Sequence, residues 1–132
     1  MSKALDRARQ MSVFDPGCTS RSVLEHATGR WGGLVLAALV DGPLRFAQLR
    51  RSVTGIGDRM LSQTLQRLEA DGLVSRTEHS AIPPHVEYEL TDLGRPIAER
   101  VCDLIEAIYQ QLPGIVAHQR QYSAPTADSK AG

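Results

Sequence analysis

After Gly72 the apolar period of this chain switches from the 3.6 residues of a helix to the 2 of a strand, and that switch restricts the folds open to it. Leu73-Val74-Ser75-Arg76-Thr77 and Val86-Glu87-Tyr88-Glu89-Leu90 are short β-type runs, and the second alternates apolar and acidic residues strictly. The segment from His79 to His85 lies between them and contains Pro83-Pro84, so it is expected to be a loop and not a helix. Two strands joined by an exposed loop predict a hairpin, with helices on both sides of it in the chain.

Upstream, residues 2–12 alternate charged and apolar side chains as a weak amphipathic helix that Pro16-Gly17 interrupts. A short helix is expected over residues 20–28, closed by Gly29, and a second over 33–39, stopped by Asp41-Gly42-Pro43. The second is apolar on every side, which places it at the centre of the core. Phe46, Leu49 and Val53 recur at helical spacing and predict a helix over 45–53. Thr54-Gly55-Ile56-Gly57 is a tight turn, and a further helix follows over 58–70 with Leu61, Leu65 and Leu68 on one face and Gly72 as its stop. Past Thr91 a long helix is expected to run to about Leu112, where Pro113-Gly114 follow. Its stripe of Leu93, Ile97, Val101, Leu104, Ile105, Ile108 and Leu112 is more than one small domain can cover, which predicts a partner chain.

Length and composition narrow the function. A chain of 132 residues fits one domain, and 42% hydrophobic with 23% charged residues is ordinary for a soluble globular protein. Net charge is zero, which argues against coating nucleic acid by bulk basicity but not against a local basic face. Two cysteines, Cys18 and Cys102, have neither metal-finger spacing nor the density of a disulfide framework, and a reducing cytoplasm is the expected location. The N-terminus lacks the basic-then-apolar pattern of a leader, and the apolar run from Leu34 to Val40 falls far short of the ~20 residues that span a bilayer. Gly55-x-Gly57 lacks the third glycine and the preceding strand of a nucleotide loop. No nucleophilic triad or facing carboxylate pair stands out, so no enzyme and no cofactor are expected.

The helix over 58–70 carries the functional signal. With its leucines inward, its outward positions are Arg59, Ser62, Gln63, Gln66 and Arg67, all hydrogen-bonding types used on base edges or phosphates. From Arg45 to Arg67 there are five arginines against one aspartate in a chain of zero net charge. A tight turn before this helix and a hairpin after it predict a winged helix-turn-helix, mainly α with a small β-hairpin, that binds double-stranded DNA. A helix face that is merely solvated remains open on composition alone, and a winged helix used only to bind another protein is the alternative. Retention on heparin or DNA that weakens steeply with salt separates the two.

From Cys18 to about Ala98 the chain resembles the HxlR-type bacterial helix-turn-helix regulators, which are related in fold to MarR-like winged helices. The resemblance is carried in order by Gly29-Arg30-Trp31, Gly42-Pro43-Leu44-Arg45-Phe46-Ala47-Gln48-Leu49-Arg50, Gly55-Ile56 and Met60-Leu61-Ser62-Gln63-Thr64-Leu65. Leu68-Glu69-Ala70-Asp71-Gly72-Leu73-Val74-Ser75-Arg76 and Pro83-Pro84-His85-Val86-Glu87-Tyr88-Glu89-Leu90-Thr91-Asp92-Leu93-Gly94 complete it. It implies a homodimer with interlocked terminal helices, recognition helices in successive major grooves of an inverted-repeat operator, and flanking wings. It implies phosphate contact at Arg45 and base reading at Gln63 and its neighbours, and it aligns Cys18 with a redox or electrophile sensor of some members. Thr19 stands where the family commonly has proline, Gly57 where it often has a serine cap, and the last helix lacks the tryptophan that members often carry.

The expected organisation is an N-terminal dimerisation arm over 1–17, a DNA-binding domain over 18–95, a dimerisation helix over 96–122 and a disordered tail over 123–132. The expected DNA-binding set is Arg45, Gln48, Arg51, Arg59, Ser62, Gln63, Gln66, Arg67, Arg76, His79 and His85. The expected dimer set is Leu5, Ile97, Val101, Leu104, Ile105, Ile108 and Leu112. His79 and His85 flank the wing loop as two possible metal ligands without a third, so no metal is expected. Trp31 is expected to anchor the core, and Cys102 to pack against the long helix's stripe. Cys18 is expected to respond to an oxidant or electrophile only if a helix N-terminus or a nearby cation such as Arg21 or Arg30 lowers its pKa, with a small-molecule effector as the other possibility.

Overall fold

Leu61, Leu65 and Leu68, the leucine face read from the sequence, are withdrawn from solvent together with Val35, Leu36, Leu39 and Leu49. Burying a side chain of this size contributes about 1.5–3 kcal/mol, so these positions fix where the helices meet. The computed structural model describes residues 2–10 and 12–123 and divides into two units, Met1–Val101 and Cys102–Gly132. Its elements are α1 (Ser2–Gln10), α2 (Thr19–Thr28), α3 (Gly32–Ala38), β1 (Leu44–Arg45), α4 (Phe46–Ser52), α5 (Asp58–Ala70), β2 (Val74–His79), β3 (His85–Leu90) and α6 (Gly94–Ser123). The core of the first unit lies among α3, α4 and α5 and extends to Leu73, Val74, Tyr88, Leu90 and Ala98.

Local chemistry sets these boundaries. Gly32 lets α3 begin against the end of α2, because a Cβ there would stand 1.8 Å from the His26 carbonyl oxygen. Asp71 closes α5, and Gly72 adopts φ +78°, a left-handed conformation in which glycine is unstrained. The Leu73 amide then donates to the Leu68 carbonyl and the Gly72 amide to that of Glu69, the paired bonds of a Schellman termination. His26 Nδ1 lies 2.6 Å from Asp71 Oδ2 and ties α2 to this corner. The helix α3 is central, as its apolar composition predicts, although Leu34 reaches solvent and Ala37 and Ala38 are half-buried.

The sheet differs from the expected hairpin. It has three strands in the order β1-β3-β2, with Leu44 opposite Tyr88 and Arg45 opposite Glu87. Arg45 therefore belongs to β1 and caps α4, and does not lie within the helix predicted over 45–53. The strands β2 and β3 pair antiparallel from Val74–Leu90 to His79–His85, so the wing loop is shorter than the expected 79–85 segment. Side chains alternate between faces along a strand. Val74, Tyr88 and Leu90 accordingly turn to the core, while Arg45, Thr77, His79, His85 and Glu87 share the opposite face.

The helix α6 is also longer than expected. It runs through Pro113 and Gly114 to Ser123 and does not stop near Leu112. Proline removes one intrahelical bond, to the carbonyl four residues back. Tyr109, which carries that carbonyl, and Pro113 are both exposed, so water can satisfy the oxygen while the following turns bond normally. Ser123 thus closes a helix, and the rest of the expected tail, 124–132, lies outside the described residues. No helix among the described residues is long and apolar enough to cross a membrane.

Candidate nucleic-acid interface

Specific contacts mark the junctions of the α4–turn–α5 unit. At the start of α4 the Arg45 amide donates to Gln48 Oε1 at 2.8 Å, which is half of a capping box. The guanidinium of Arg45 has no acceptor with which to return the bond. Leu49, Val53 and Ile56 are buried beneath the turn, and Gly55 takes φ +95° within it. Gly57 caps α5 without a side-chain bond, but Asp58 places a carboxylate on the first turn, where the helix dipole favours it. Arg50 Nη1 reaches Asp58 Oδ1 at 2.7 Å and closes the turn from the α4 side. One of the five arginines counted in this region is therefore committed to its single aspartate, while Arg45, Arg51, Arg59 and Arg67 are exposed.

The water-facing strip of α5 is narrower than its composition suggests. Arg59 and Gln66 are exposed, and Ser62 and Gln63 are half-buried on either side of them. Arg67 lies on a flank with Met60 and Thr64, lining a groove whose other wall includes His26, Arg30 and Trp31. Trp31 packs against the core as expected, and the Arg30 guanidinium sits 4.7 Å from its ring centroid, a cation–π arrangement. Sequence reasoning gave no role to Met60, which is exposed at 38% on that groove.

On the wing, Arg76 Nη1 donates to Glu78 Oε1 at 2.9 Å. This bond, with a second to Tyr88, raises the arginine above its ordinary pKa. The two histidines expected near DNA are brought together at the loop end of the hairpin, with their rings stacked 4.7 Å apart. Both face Glu87: His79 Nε2 is 2.9 Å from Oε1, and His85 Nε2 is 3.8 Å from Oε2. The β3 register thus places Glu87 beside the two histidines, a grouping with no linear motif in the sequence.

Cys18 occupies the N-cap of α2, and its Sγ lies 3.1 Å from Ser20 Oγ. That hydroxyl, together with the Ser20 backbone, holds the thiol below its ordinary pKa against the opposing effects of burial and Asp15. The largest cause is therefore a serine and not a cation. Arg21 is engaged by Glu25 at 2.8 Å and by the Phe14 carbonyl. Neither Cys18 nor Cys102 is in a disulfide, and both are half-buried.

The expected dimer set divides in two. Ile97 packs against the core of the first unit, and Val101 is half-buried. Leu104, Ile108 and Leu112 are exposed in the second unit, and Ile115 extends them at helical spacing. Ile105 is half-buried there, as is Leu5 on α1.

A family model described as HxlR-like helix-turn-helix matches residues 26–115. The chain is 43% identical over 116 residues to the HTH-type transcriptional regulator YtfH of Escherichia coli, covering 88% of this chain and 92% of that protein. Among solved structures, the ytfH protein of Salmonella typhimurium superposes with TM-score 0.75 at 46% identity, over 81% of this chain and 96% of that one. The redox regulator HypR in its oxidised form superposes with TM-score 0.65 at 36% identity, over 70% of this chain and 96% of that one.

Proposed function

The chain belongs to the HxlR-like helix-turn-helix family of transcriptional regulators, and from that premise we propose that α5 reads base edges in the major groove of an operator. The observation that carries this is the strip of Arg59, Ser62, Gln63 and Gln66 on a helix whose opposite face is locked by Leu61, Leu65 and Leu68. Arginine and glutamine are the side chains that pair bidentately with guanine and adenine in that groove. Arg45 and Arg51 bind flanking phosphates, Arg76 joins them by exchanging its exposed partner Glu78 for a phosphate, Gln48 orients α4 through its cap, and Arg67 reaches the DNA backbone from the flank of α5. Two copies joined through α1 and α6 bind an inverted repeat whose half-site centres lie about one helical turn apart, or a multiple of it. The protein works in the cytoplasm by binding and not by catalysis.

Arg59→Ala and Gln63→Ala are each expected to weaken operator binding by ~1–3 kcal/mol while leaving random duplex nearly unchanged. Fluorescence anisotropy on both duplexes, with the operator first selected from genomic fragments, gives the comparison. Equal losses on the two would assign both residues to the phosphate backbone. Absence of salt-sensitive DNA binding altogether would favour the protein-interaction alternative.

The effector is an oxidant or electrophile acting at Cys18. The lowered thiol pKa and its seat at the start of α2 support this reading, as does the likeness to a redox regulator. Treatment with hydrogen peroxide, which takes a single thiol to the sulfenic acid, or with iodoacetamide, which alkylates it, is expected to shift operator affinity about tenfold, which needs only ~1.4 kcal/mol between two arrangements of the dimer. Cys18→Ser should abolish the response with basal binding intact, and Cys102→Ser should retain it. Full alkylation of Cys18 with no change in affinity would end the sensing idea.

A further inference from the structure

We propose that the wing carries a transition-metal site, with His79, His85 and Glu87 as its three protein ligands and zinc as the metal its chemistry fits best. The hairpin register builds it. His79 and His85 are directly opposed at the last pair of β2 and β3, and Glu87 lies two residues along β3 on the same face. One ligand atom from each residue lies within 4.8 Å of the other two. Tetrahedral zinc with bonds of about 2.05 Å holds its ligands roughly 3.3 Å apart, so small side-chain rotations close the present separations. The two carboxylate oxygens of Glu87 already face the two rings, Oε1 at 2.9 Å from His79 Nε2 and Oε2 at 3.8 Å from His85 Nε2.

The donor set selects the kind of metal. Two imidazole nitrogens and one carboxylate suit zinc and its first-row neighbours, whereas calcium and magnesium take oxygen ligands. At 2.9 Å from Glu87 the Nε2 of His79 is a hydrogen-bond donor, and a metal takes the place of that proton, leaving the ring's other proton on Nδ1 and the Nε2 lone pair as the ligand. Three protein ligands leave one position for water or an outside group. All three side chains are half-buried, so the ligands are partly held by the sheet and an ion can still enter. A bound ion would clamp the two strand ends that flank the wing loop. Binding of metal involves no DNA, so this inference stands or falls separately from the operator reading.

The test is titration of untagged, reduced, full-length protein with zinc by calorimetry and with cobalt by absorption. The expected result is one ion per chain, with weak visible bands for bound cobalt that disappear when zinc displaces it, and no near-ultraviolet thiolate-to-cobalt transition. His79→Gln and Glu87→Gln should each lower zinc affinity at least tenfold while keeping the wild-type circular dichroism. Zinc should raise the melting temperature of the wild type but not of His85→Gln, because stabilisation follows ligand binding to the native state. A thiolate band would move the metal to the cysteines and overturn the proposal. So would zinc affinity unchanged in both variants, or no binding at micromolar zinc.

Discussion

Gly94→Ala is expected to destabilise the protein by ~3 kcal/mol or more, out of the ~5–15 kcal/mol that holds a typical domain folded. A Cβ at this position would lie 1.9 Å from the Leu73 carbonyl oxygen and 2.7 Å from its carbon, both backbone atoms that cannot rotate away. The start of α6 would have to move, and three hydrogen bonds depend on its place. The Thr91 amide donates to the Leu73 carbonyl, the Thr91 hydroxyl donates to the Gly72 carbonyl, and the Gly94 amide donates to Thr91 Oγ1. Ala98, fully buried one turn later, would lose its packing as well. Overpacking contributes about 1–3 kcal/mol and each broken bond about 1 more. Gly114→Ala is the control, because a Cβ there meets nothing within 4 Å and alanine favours a helix interior by up to ~1 kcal/mol. Denaturant midpoints of the two variants decide the matter. A wild-type midpoint for Gly94→Ala would show that α6 is not seated on the Leu73 backbone.

The helices that form the core were legible because their apolar side chains repeat over several turns. Leu61, Leu65 and Leu68 define α5 without any structure, and Gly72 marks its end through a conformation in which glycine is unstrained. The strand β1 was not legible. Two residues give no period, and Leu44-Arg45 forms a strand only because β3 offers it a free edge. Pro113-Gly114 misled for the opposite reason. A local breaker was read as a stop, although its single lost bond falls on a carbonyl that water can reach. Within the interface, residue types were readable but commitments were not. The engagement of Arg50 by Asp58 and of Gln48 by the Arg45 amide depends on three-dimensional placement across a turn and at a helix start. The grouping of His79, His85 and Glu87 was available in principle. It needed the strand register, which follows once His79 and His85 are taken as the closing pair of the hairpin.

If the proposed dimer forms through this face, the double substitution Leu104→Asp with Ile108→Asp is expected to leave a monomer and reduce operator affinity at least ~100-fold. Leu104, Ile108, Leu112 and Ile115 follow one another at spacings of four, four and three residues, and so form one face of α6. Their exposures of 54%, 48%, 38% and 39% leave apolar area that a second copy of the chain can cover. A symmetric pair of such helices removes each side chain from water twice, at about 1.5–3 kcal/mol for each one fully covered. Aspartate at two adjacent turns removes that gain and sets four carboxylates into the seam. The folded chain should tolerate the change, because both positions already face water. Light scattering would then report a monomer with the circular dichroism of the parent. A dimer gains its second half-site as an intramolecular event, and the effective concentration so obtained is worth 10²–10⁴ in avidity. The monomer forfeits that factor but keeps α5, so its affinity for a single half-site should equal that of one arm of the parent. A variant that stays dimeric and binds the inverted repeat as before would place the seam elsewhere on the chain.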